Sequence, residues 1–267
     1  MSGRSPSSTE RSQGVTIAAP AALRWFRGEG PIRVLNIFDG ALNLADGDGA
    51  VLALVRSESM LGPFAAVVPG LNWPPEERRI SSRFSLPPLE PSLIEWNPRP
   101  DWRALASPQW VPAALAMPEP PSTAAMRAVA ELANALGSAE DASRLEKVSV
   151  RLAGVGGGLT PEGDDALVGA MHATWATRDE PTARRLCALI ATTAAPRTTL
   201  LSAAWLRAAA VGDAAMPWHV LIRELAASFG ERSAGLDAAW QGVLAMGASS
   251  GAAALSGFVR TLARFRG

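Results

Sequence analysis

Residues 154–169 read GVGGGLTPEGDDALVG, and this stretch is the centre of the second half of the chain. Four glycines lie between positions 154 and 158, where they permit positive φ and let several backbone N–H groups converge. The valines and leucine at 148–152 precede the turn as a strand, and the apolar run 166–170 follows it as a helix. Because the first four N–H groups of a helix lack internal partners, the stretch predicts a binding site for a small anion, a phosphate or a carboxylate.

Two carboxylates, Asp164 and Asp165, stand in the first turn of this predicted helix. Exposed carboxylates there stabilise the helix dipole by about 0.3–1 kcal/mol each, so capping alone is one interpretation. Beside an anion they would repel the ligand, unless a Mg²⁺ ion bridges them or the ligand offers N–H groups, as ureido and carbamoyl compounds do. Under this functional interpretation, Asp164→Asn lowers activity severely with little loss of stability.

The composition excludes several other chemistries. Lys147 is the only lysine, so the glycines lack the adjacent lysine of a nucleotide-binding P-loop. Leu159 stands where a dinucleotide-binding fingerprint requires glycine. Two histidines and one cysteine do not suffice for a multi-histidine or thiolate zinc site, so any metal would be held by oxygen ligands.

Charge and hydropathy indicate an ordinary globular protein. The 25 basic and 25 acidic side chains cancel, which favours neither a nucleic-acid surface nor disorder. No uncharged apolar run approaches the ~20 residues of a membrane span, and the opening residues offer no apolar stretch for a signal peptide. The single cysteine, Cys187, has no partner for an intramolecular disulfide. We therefore expect a cytoplasmic protein that binds neither nucleic acid nor membrane.

The first half of the chain has the pattern of short strands. Apolar segments at 33–38, 41–45, 50–55 and 64–68 are separated by turn signals such as Asp39-Gly40 and Gly62-Pro63. This spacing predicts a small antiparallel meander or barrel, preceded by a disordered tail at residues 1–14. Residues 69–121 are rich in proline and tryptophan and predict an ordered connection with one strand at 93–96.

The second half changes to a helical period. The predicted helices are 123–136, 165–176, 181–194, 198–210, 218–229, 236–246 and 252–265. The chain is therefore expected to be α+β, with a β-rich domain at 15–121 followed by an all-α helical bundle at 122–267 that carries the glycine-rich loop.

The central stretch resembles the G-x-G-x-GLTPSGDD-x-x-x-G signature of the AllH family. This bacterial family, formerly a domain of unknown function, is named after AllH, a subunit of oxamate carbamoyltransferase in allantoin breakdown. Weaker likenesses are FDGALNL at 38–44, the Arg197-Thr198-Thr199 run with Ser202, and Gly-rich residues 247–251 followed by Gly257. In two places the chain departs from the family, since Glu162 replaces the usual serine and residues 252–254 lack an expected acidic side chain.

The resemblance implies a transferase subunit of purine or allantoin catabolism. In that family's reaction, oxalurate and phosphate exchange with oxamate and carbamoyl phosphate, so the expected substrate is a small anionic or ureido compound together with phosphate. The family works in a multi-subunit complex, which implies an FdrA-like partner related to acyl-CoA synthetases. The alternative is a non-catalytic binding or regulatory subunit whose loop holds a ligand for that partner.

The candidate site residues follow from the loop and from the resemblance. The predicted catalytic residues are Asp164, Asp165 and Arg197, and the two aspartates are also the candidate ligands of a Mg²⁺ ion. The predicted ligand-binding residues are Asn43, Gly156, Gly157, Gly158, Thr160, Thr198, Ser249, Ser250 and Gly251.

The flanking candidates also have structural interpretations. Thr198 caps a helix, or joins Arg197 in holding a carboxylate or phosphate. Residues 249–251 cap the last helix, or complete the anion site with their hydroxyl groups. Asn43 supports a turn by hydrogen bonding, or contacts the ligand. His172 either points into the pocket or is a core or surface residue, and the second interpretation is expected.

Overall fold

A computed structural model describes residues 14–28, 30–38, 40–71, 85–105, 123–138, 141–228 and 231–265. It divides into two compact units, one over residues up to 48 and 52–96 and the other over 49–51 and from 97 onward. The predicted tail, apart from residue 14, lies outside the described residues. So do residues 72–84 and 106–122 of the predicted proline-rich connection.

The first unit contains one sheet, to which the described residues contribute six strands. In chain order these are β1 Val15–Ala18, β2 Arg33–Ile37, β3 Ala41–Ala45, β4 Val51–Val55, β5 Ala65–Val67 and β6 Leu89–Glu95. Their order in the sheet is β2-β3-β4-β5-β1-β6. Leu42 and Leu44 of β3 and Leu52 and Leu54 of β4 form its core, because alternate residues of a strand share one face.

The sheet is mixed, which corrects the prediction of an antiparallel meander. β2 pairs antiparallel with β3, as that prediction requires, and β1 pairs antiparallel with β5. In contrast, β4 pairs parallel with β5, and β1 pairs parallel with β6. The chain turns at Gly62-Pro63, as the turn signal predicts. However, the segment 56–64 returns the chain to the end of the sheet where β4 began, so β5 runs parallel to β4 and the two do not form a hairpin.

The second unit is helical, which confirms the α+β class. Its helices are α2 Thr123–Ser138, α3 Ala142–Leu152, α4 Glu162–Thr177, α5 Glu180–Ala194, α6 Leu200–Ala210, α7 Met216–Ala227, α8 Ala234–Leu244 and α9 Ser250–Arg264, whereas the four-residue α1 Pro20–Leu23 belongs to the first unit.

Helix α3 replaces the strand expected before the glycine loop. Leu145, Val148, Ser149 and Leu152 are its buried residues, and their spacing of three and four positions is that of one helix face. Asp141 caps the helix by accepting a hydrogen bond of 2.9 Å from the Arg144 amide. The strand prediction considered only residues 148–152, which are too few to distinguish a strand from the end of a helix.

Helix α4 is the central helix of the second unit, because every residue from Gly163 to Ala176 is buried. Its closest neighbour is α9, and two glycines allow this approach. A Cβ on Gly169 would lie 1.8 Å from the Ala254 carbonyl oxygen, and a Cβ on Gly257 would lie 2.1 Å from that of Ala166. Since the two contacts run in opposite order along the chain, the helices are antiparallel.

His172 is a core residue of this unit, as predicted. Its ring stacks on Trp102 at 5.1 Å between centroids and meets Trp218 edge-on at 4.8 Å. Burial lowers the pKa of His172 to about 3, so the ring is neutral at physiological pH.

Within the described ranges, no helix combines the length and the apolar character that crossing a membrane requires.

Gly169→Ala tests the α4–α9 contact. We expect it to lower the free energy of unfolding by at least about 3 kcal/mol, because the new methyl group meets backbone that cannot move aside. The matched control is Gly242→Ala in α8, where a Cβ meets nothing within 4 Å. There the substitution should stabilise by about 0.5–1 kcal/mol. Equal denaturant midpoints for the two variants would contradict this packing.

Candidate functional site

The glycine loop joins α3 to α4 and depends on backbone that only glycine adopts easily. The φ angles are +71° at Gly154, +115° at Gly156 and +83° at Gly158. Two of these glycines also leave no space for a side chain. A Cβ would lie 2.8 Å from the Arg197 carbonyl oxygen at Gly154, and 2.8 Å from the Glu162 nitrogen at Gly156. The predicted turn is therefore required sterically as well as conformationally.

Some backbone N–H and C=O groups of the loop form hydrogen bonds within the chain, whereas other N–H groups have no acceptor among the described residues. The Val155 amide donates to the Leu152 carbonyl at 3.0 Å, and the Val155 carbonyl accepts from the Gly163 amide at 2.8 Å. The amides of residues 156–160 find no acceptor among the residues that the structure describes. Residues 156–159 are exposed in the helical unit whereas Thr160 is half-buried, so the amides of 156–159 are open to a solute.

Asp164 is fully buried at the start of α4, and its carboxylate is bonded by three donors. Oδ1 accepts from the Gly154 amide at 3.0 Å. Oδ2 accepts from the Ser202 hydroxyl at 2.9 Å and from the Thr198 hydroxyl. The side chain thus ties the loop and the start of α6 to α4, and charge-assisted bonds of this kind are strong.

Asp165 has a different environment from its neighbour. It is 8 % exposed, and its Oδ2 has no hydrogen-bond partner in the described part of the chain. The pKa of Asp165 is raised to about 7, mainly by burial; the Ser250 hydroxyl lowers it, and the charges of Asp164 and Glu162 raise it. Near neutral pH a large fraction of this carboxyl is therefore protonated.

Hydroxyl groups connect the loop to two more helices. The hydroxyls of Thr160 and Ser250 are 2.8 Å apart, which links the loop to the first residue of α9. Thr199 caps α6 by accepting a hydrogen bond of 3.1 Å from the Ser202 amide, and it donates to the Leu159 carbonyl. The segment at 197–202, the loop and the starts of α4 and α9 therefore meet at one place.

The remaining candidates lie in separate settings. The exposed guanidinium of Arg197 donates to the Thr193 carbonyl, while its own backbone packs on Gly154. Ser249 precedes α9 without a side-chain capping bond. A Cβ on Gly251 would lie 1.9 Å from the Val243 carbonyl oxygen, so this glycine serves close packing of α8 and α9.

Asn43 belongs to the sheet unit. It is 6 % exposed, and its side-chain amide donates to the Asn36 side-chain oxygen at 2.7 Å. These two residues are register partners in the β2–β3 pair, so their bond crosses neighbouring strands. Asn43 is therefore hydrogen-bonded across two strands and does not support a turn, and its ligand-binding role stays a prediction.

The donor set does not fit a Mg²⁺ ion bridging the two aspartates. No group of three or more His, Cys, Asp or Glu side chains able to hold a metal exists within the described ranges. The oxygens of Asp164 already accept three hydrogen bonds, so only Asp165 has an unused oxygen to offer. Water and substrate phosphate commonly complete the octahedron of a protein-bound Mg²⁺ ion, but a bridge between the two aspartates would require Asp164 to give up a hydrogen bond to the loop or to the start of α6.

Ser202 and Gly163 are structurally important in the site, although the sequence interpretation gave them no role. Ser202 stands four residues after Thr198, a spacing that brings two hydroxyls towards one side at a helix start. Gly163 has no such signal. A Cβ there would lie 2.1 Å from the Leu152 carbonyl oxygen, a contact between α3 and α4 that only the folded chain reveals.

Asp164→Asn should lower the free energy of unfolding by about 3 kcal/mol. The asparagine side chain has one oxygen to accept the three hydrogen bonds, and its NH₂ group would face an N–H or O–H group that also donates. This revises the expectation that the substitution would spare stability. The control is Glu162→Gln, in the same helical turn but partly exposed, which should change stability by less than about 0.5 kcal/mol. Chemical denaturation measures both, and an Asn variant as stable as the Gln variant would contradict the bonding described.

The stability of the protein should also depend on the protonation of Asp165. Its pKa rises from 3.8 to about 7 on folding, so between these values the folded chain binds more protons than the unfolded chain. The contribution is complete below about pH 4 and is lost as the pH rises to about 7, by at most about 1.4 kcal/mol per pH unit. Subtracting the unfolding profile of Asp165→Asn from that of the wild type isolates this slope. A flat difference would contradict the raised pKa.

Comparison with known proteins gives one match. The family described as oxamate carbamoyltransferase subunit AllH matches residues 152–262, from the end of α3 to near the end of α9. No curated protein and no solved structure matches the chain. The matched range contains the glycine loop, both aspartates and Ser250, whereas the FDGALNL likeness at 38–44 lies outside it. The family resemblance seen in the central motif is therefore confirmed, and over residues 152–262 this chain is AllH-like.

Proposed function

We propose that this chain is a subunit of a carbamoyltransferase and that its glycine loop binds the oxyanion end of the substrate. The observation that carries the proposal is the exposed run 156–159, whose amides have no acceptor among the described residues, within the range that matches the AllH family. Unpaired backbone N–H groups in a glycine-rich turn attract anions because their partial positive charge has no acceptor within the chain.

The environments of the acids favour an oxyanion over a ureido group at this place. Asp164 has no free oxygen to accept a ligand N–H group, since the loop and the start of α6 already bond it. Asp165 is partly protonated near neutral pH, which weakens its repulsion of an anion. The loop therefore presents mainly donors, and a phosphate or a carboxylate matches donors better than an amide nitrogen does.

The reaction that we propose is reversible carbamoyl transfer between oxamate and phosphate. In the direction of oxalurate breakdown, a phosphate oxygen attacks the terminal carbonyl carbon and the bond from that carbon to the oxamate nitrogen breaks. The oxamate nitrogen takes up a proton, and carbamoyl phosphate is formed. The contribution of the loop is to hold the oxyanion in line with this carbon, and Asp164 acts as a positioning residue that fixes the loop.

Arg197 belongs to the same proposal as a group that neutralises charge at the rim of the site. Its side chain is exposed and, among the described residues, bonds only a carbonyl oxygen, so it can exchange that bond for one to a substrate carboxylate. Thr160, Thr198 and Ser250 are proposed as polar residues around the bound anion.

The cytoplasmic location expected for this protein stays a prediction.

A partner subunit is part of the proposal, because the loop is open to water. Val150, Val155 and Leu159 are apolar yet 43, 41 and 38 % exposed around this turn. Carbamoyl transfer needs water to be excluded from the reacting groups, and a partner seated on these side chains would exclude it. An FdrA-like protein is the partner that the family resemblance suggests. In the alternative role, the chain binds the ligand while the partner performs the chemistry.

Two neighbouring glycine substitutions test the loop. Gly156→Ala should weaken binding of phosphate and oxamate at least tenfold (about 1.4 kcal/mol), because its φ of +115° and the nearby Glu162 nitrogen force the loop to move. Gly157→Ala is the matched control, since φ there is not positive and a Cβ meets nothing within 4 Å. Calorimetric titration measures both affinities, and wild-type affinity in Gly156→Ala would contradict the proposed anion site.

An activity assay separates the two roles. The purified chain is assayed for carbamoyl phosphate formation from oxalurate and phosphate, alone and together with its FdrA-like partner. Activity that appears only in the mixture and is lost with Gly156→Ala supports a subunit that supplies part of the active site. A mixture that keeps full activity with this variant would contradict a role of the loop in the reaction.

A further inference from the structure

We propose that Asp165, in its neutral form, donates a hydrogen bond from Oδ2 to an oxygen of the anion that the glycine loop holds. This inference rests on the proposed anion site and adds a specific contact to it. It also assigns a substrate class, since a neutral acid beside backbone amides selects a group that offers only acceptors, such as a phosphate or a carboxylate.

The first support is an unused polar atom. Oδ2 of Asp165 is buried and has no hydrogen-bond partner in the described part of the chain. Buried polar atoms are nearly always bonded, so an unpartnered one needs an explanation. The equivalent atoms of the adjacent Asp164 have three donors, which shows that the fold is able to satisfy a carboxylate at this helix start.

The second support is the connection of this carboxyl to the loop. The Ser250 hydroxyl is close enough to Asp165 to lower its pKa, and it lies 2.8 Å from the Thr160 hydroxyl. Thr160 follows directly on the open amides of the loop. The chain of contacts therefore runs from the candidate anion position through two hydroxyls to the carboxyl group.

The third support is the set of charges around the group. The charged side chains that act on Asp165 are Asp164 and Glu162 of its own helix, and α9 contributes only the hydroxyl of Ser250. No cation is among them in the described residues, so only that hydroxyl and the dipole of α4 favour the ionised form. A second negative charge brought by a bound anion raises the proton affinity of the group further, which couples anion binding to protonation.

The test measures sulfate binding as a function of pH, by calorimetric titration of the wild-type chain. Sulfate stays a dianion throughout, so changes in affinity report on the protein. We expect the dissociation constant to be constant well below pH 7 and to rise above it, approaching about tenfold per pH unit. Asp165→Asn carries a neutral side chain that is able to donate. It should bind like the wild type at low pH and show no rise at higher pH.

Further readouts separate this contact from a structural role. Asp165→Ala should lose at least about tenfold in affinity at low pH, because it removes the donor. In the wild type, a carbonyl stretch of a protonated carboxyl should be visible by infrared spectroscopy near neutral pH and should be missing in Asp165→Asn. This spectrum keeps the proposal testable even if Asp165→Ala does not fold.

Three outcomes would overturn the inference. Sulfate binding that is independent of pH in the wild type would leave the anion site in place but remove the role of Asp165. Affinity that rises with pH and vanishes in Asp165→Asn would indicate an ionised carboxylate, as in a cation-bridged site. Absence of sulfate binding at every pH would overturn both this inference and the proposed function.

Discussion

The carboxylate of Asp164 is the interaction on which the site depends. It is buried at the start of α4, and it accepts from the backbone of the glycine loop and from two hydroxyls at the start of α6. Without it the Gly154 amide and both hydroxyls would be left without an acceptor beside a buried helix, which costs more than the bonds contribute when made. The loop is therefore held in the one shape that leaves the following amides unpaired and exposed.

Two adjacent aspartates have opposite roles because their surroundings differ. Both stand in the first turn of α4, where the helix dipole favours a negative charge. Asp164 is surrounded by donors and acts within the fold, whereas Asp165 is buried with one hydroxyl partner and two like charges nearby. This difference reduces the repulsion that two acids would exert on an anion, because three donors stabilise the charge of Asp164 and Asp165 is partly protonated near neutral pH.

The sequence predicted the class of fold, most of the helices and the place of the loop, because these depend on local periodicity and on the glycine pattern. It did not predict the parallel pairing of β4 with β5 and of β1 with β6. The partner and the direction of a short apolar strand depend on the whole sheet. The sequence interpretation missed α3 because residues 148–152 alone are too few to distinguish a strand from the end of a helix. The separation of Asp164 from Asp165 depends on Thr198, Ser202 and Ser250, which are distant in sequence, so no local pattern revealed it.

The central claim is that the amides after Gly154 bind an oxyanion while the Gly154 amide is occupied by Asp164. Two-dimensional ¹H–¹⁵N spectra of the chain during a phosphate titration test it residue by residue. The account predicts saturable downfield shifts of the amide signals of Gly156, Gly157 and Gly158, with the Gly154 signal little changed. Unchanged signals of all three glycines at saturating phosphate would contradict it.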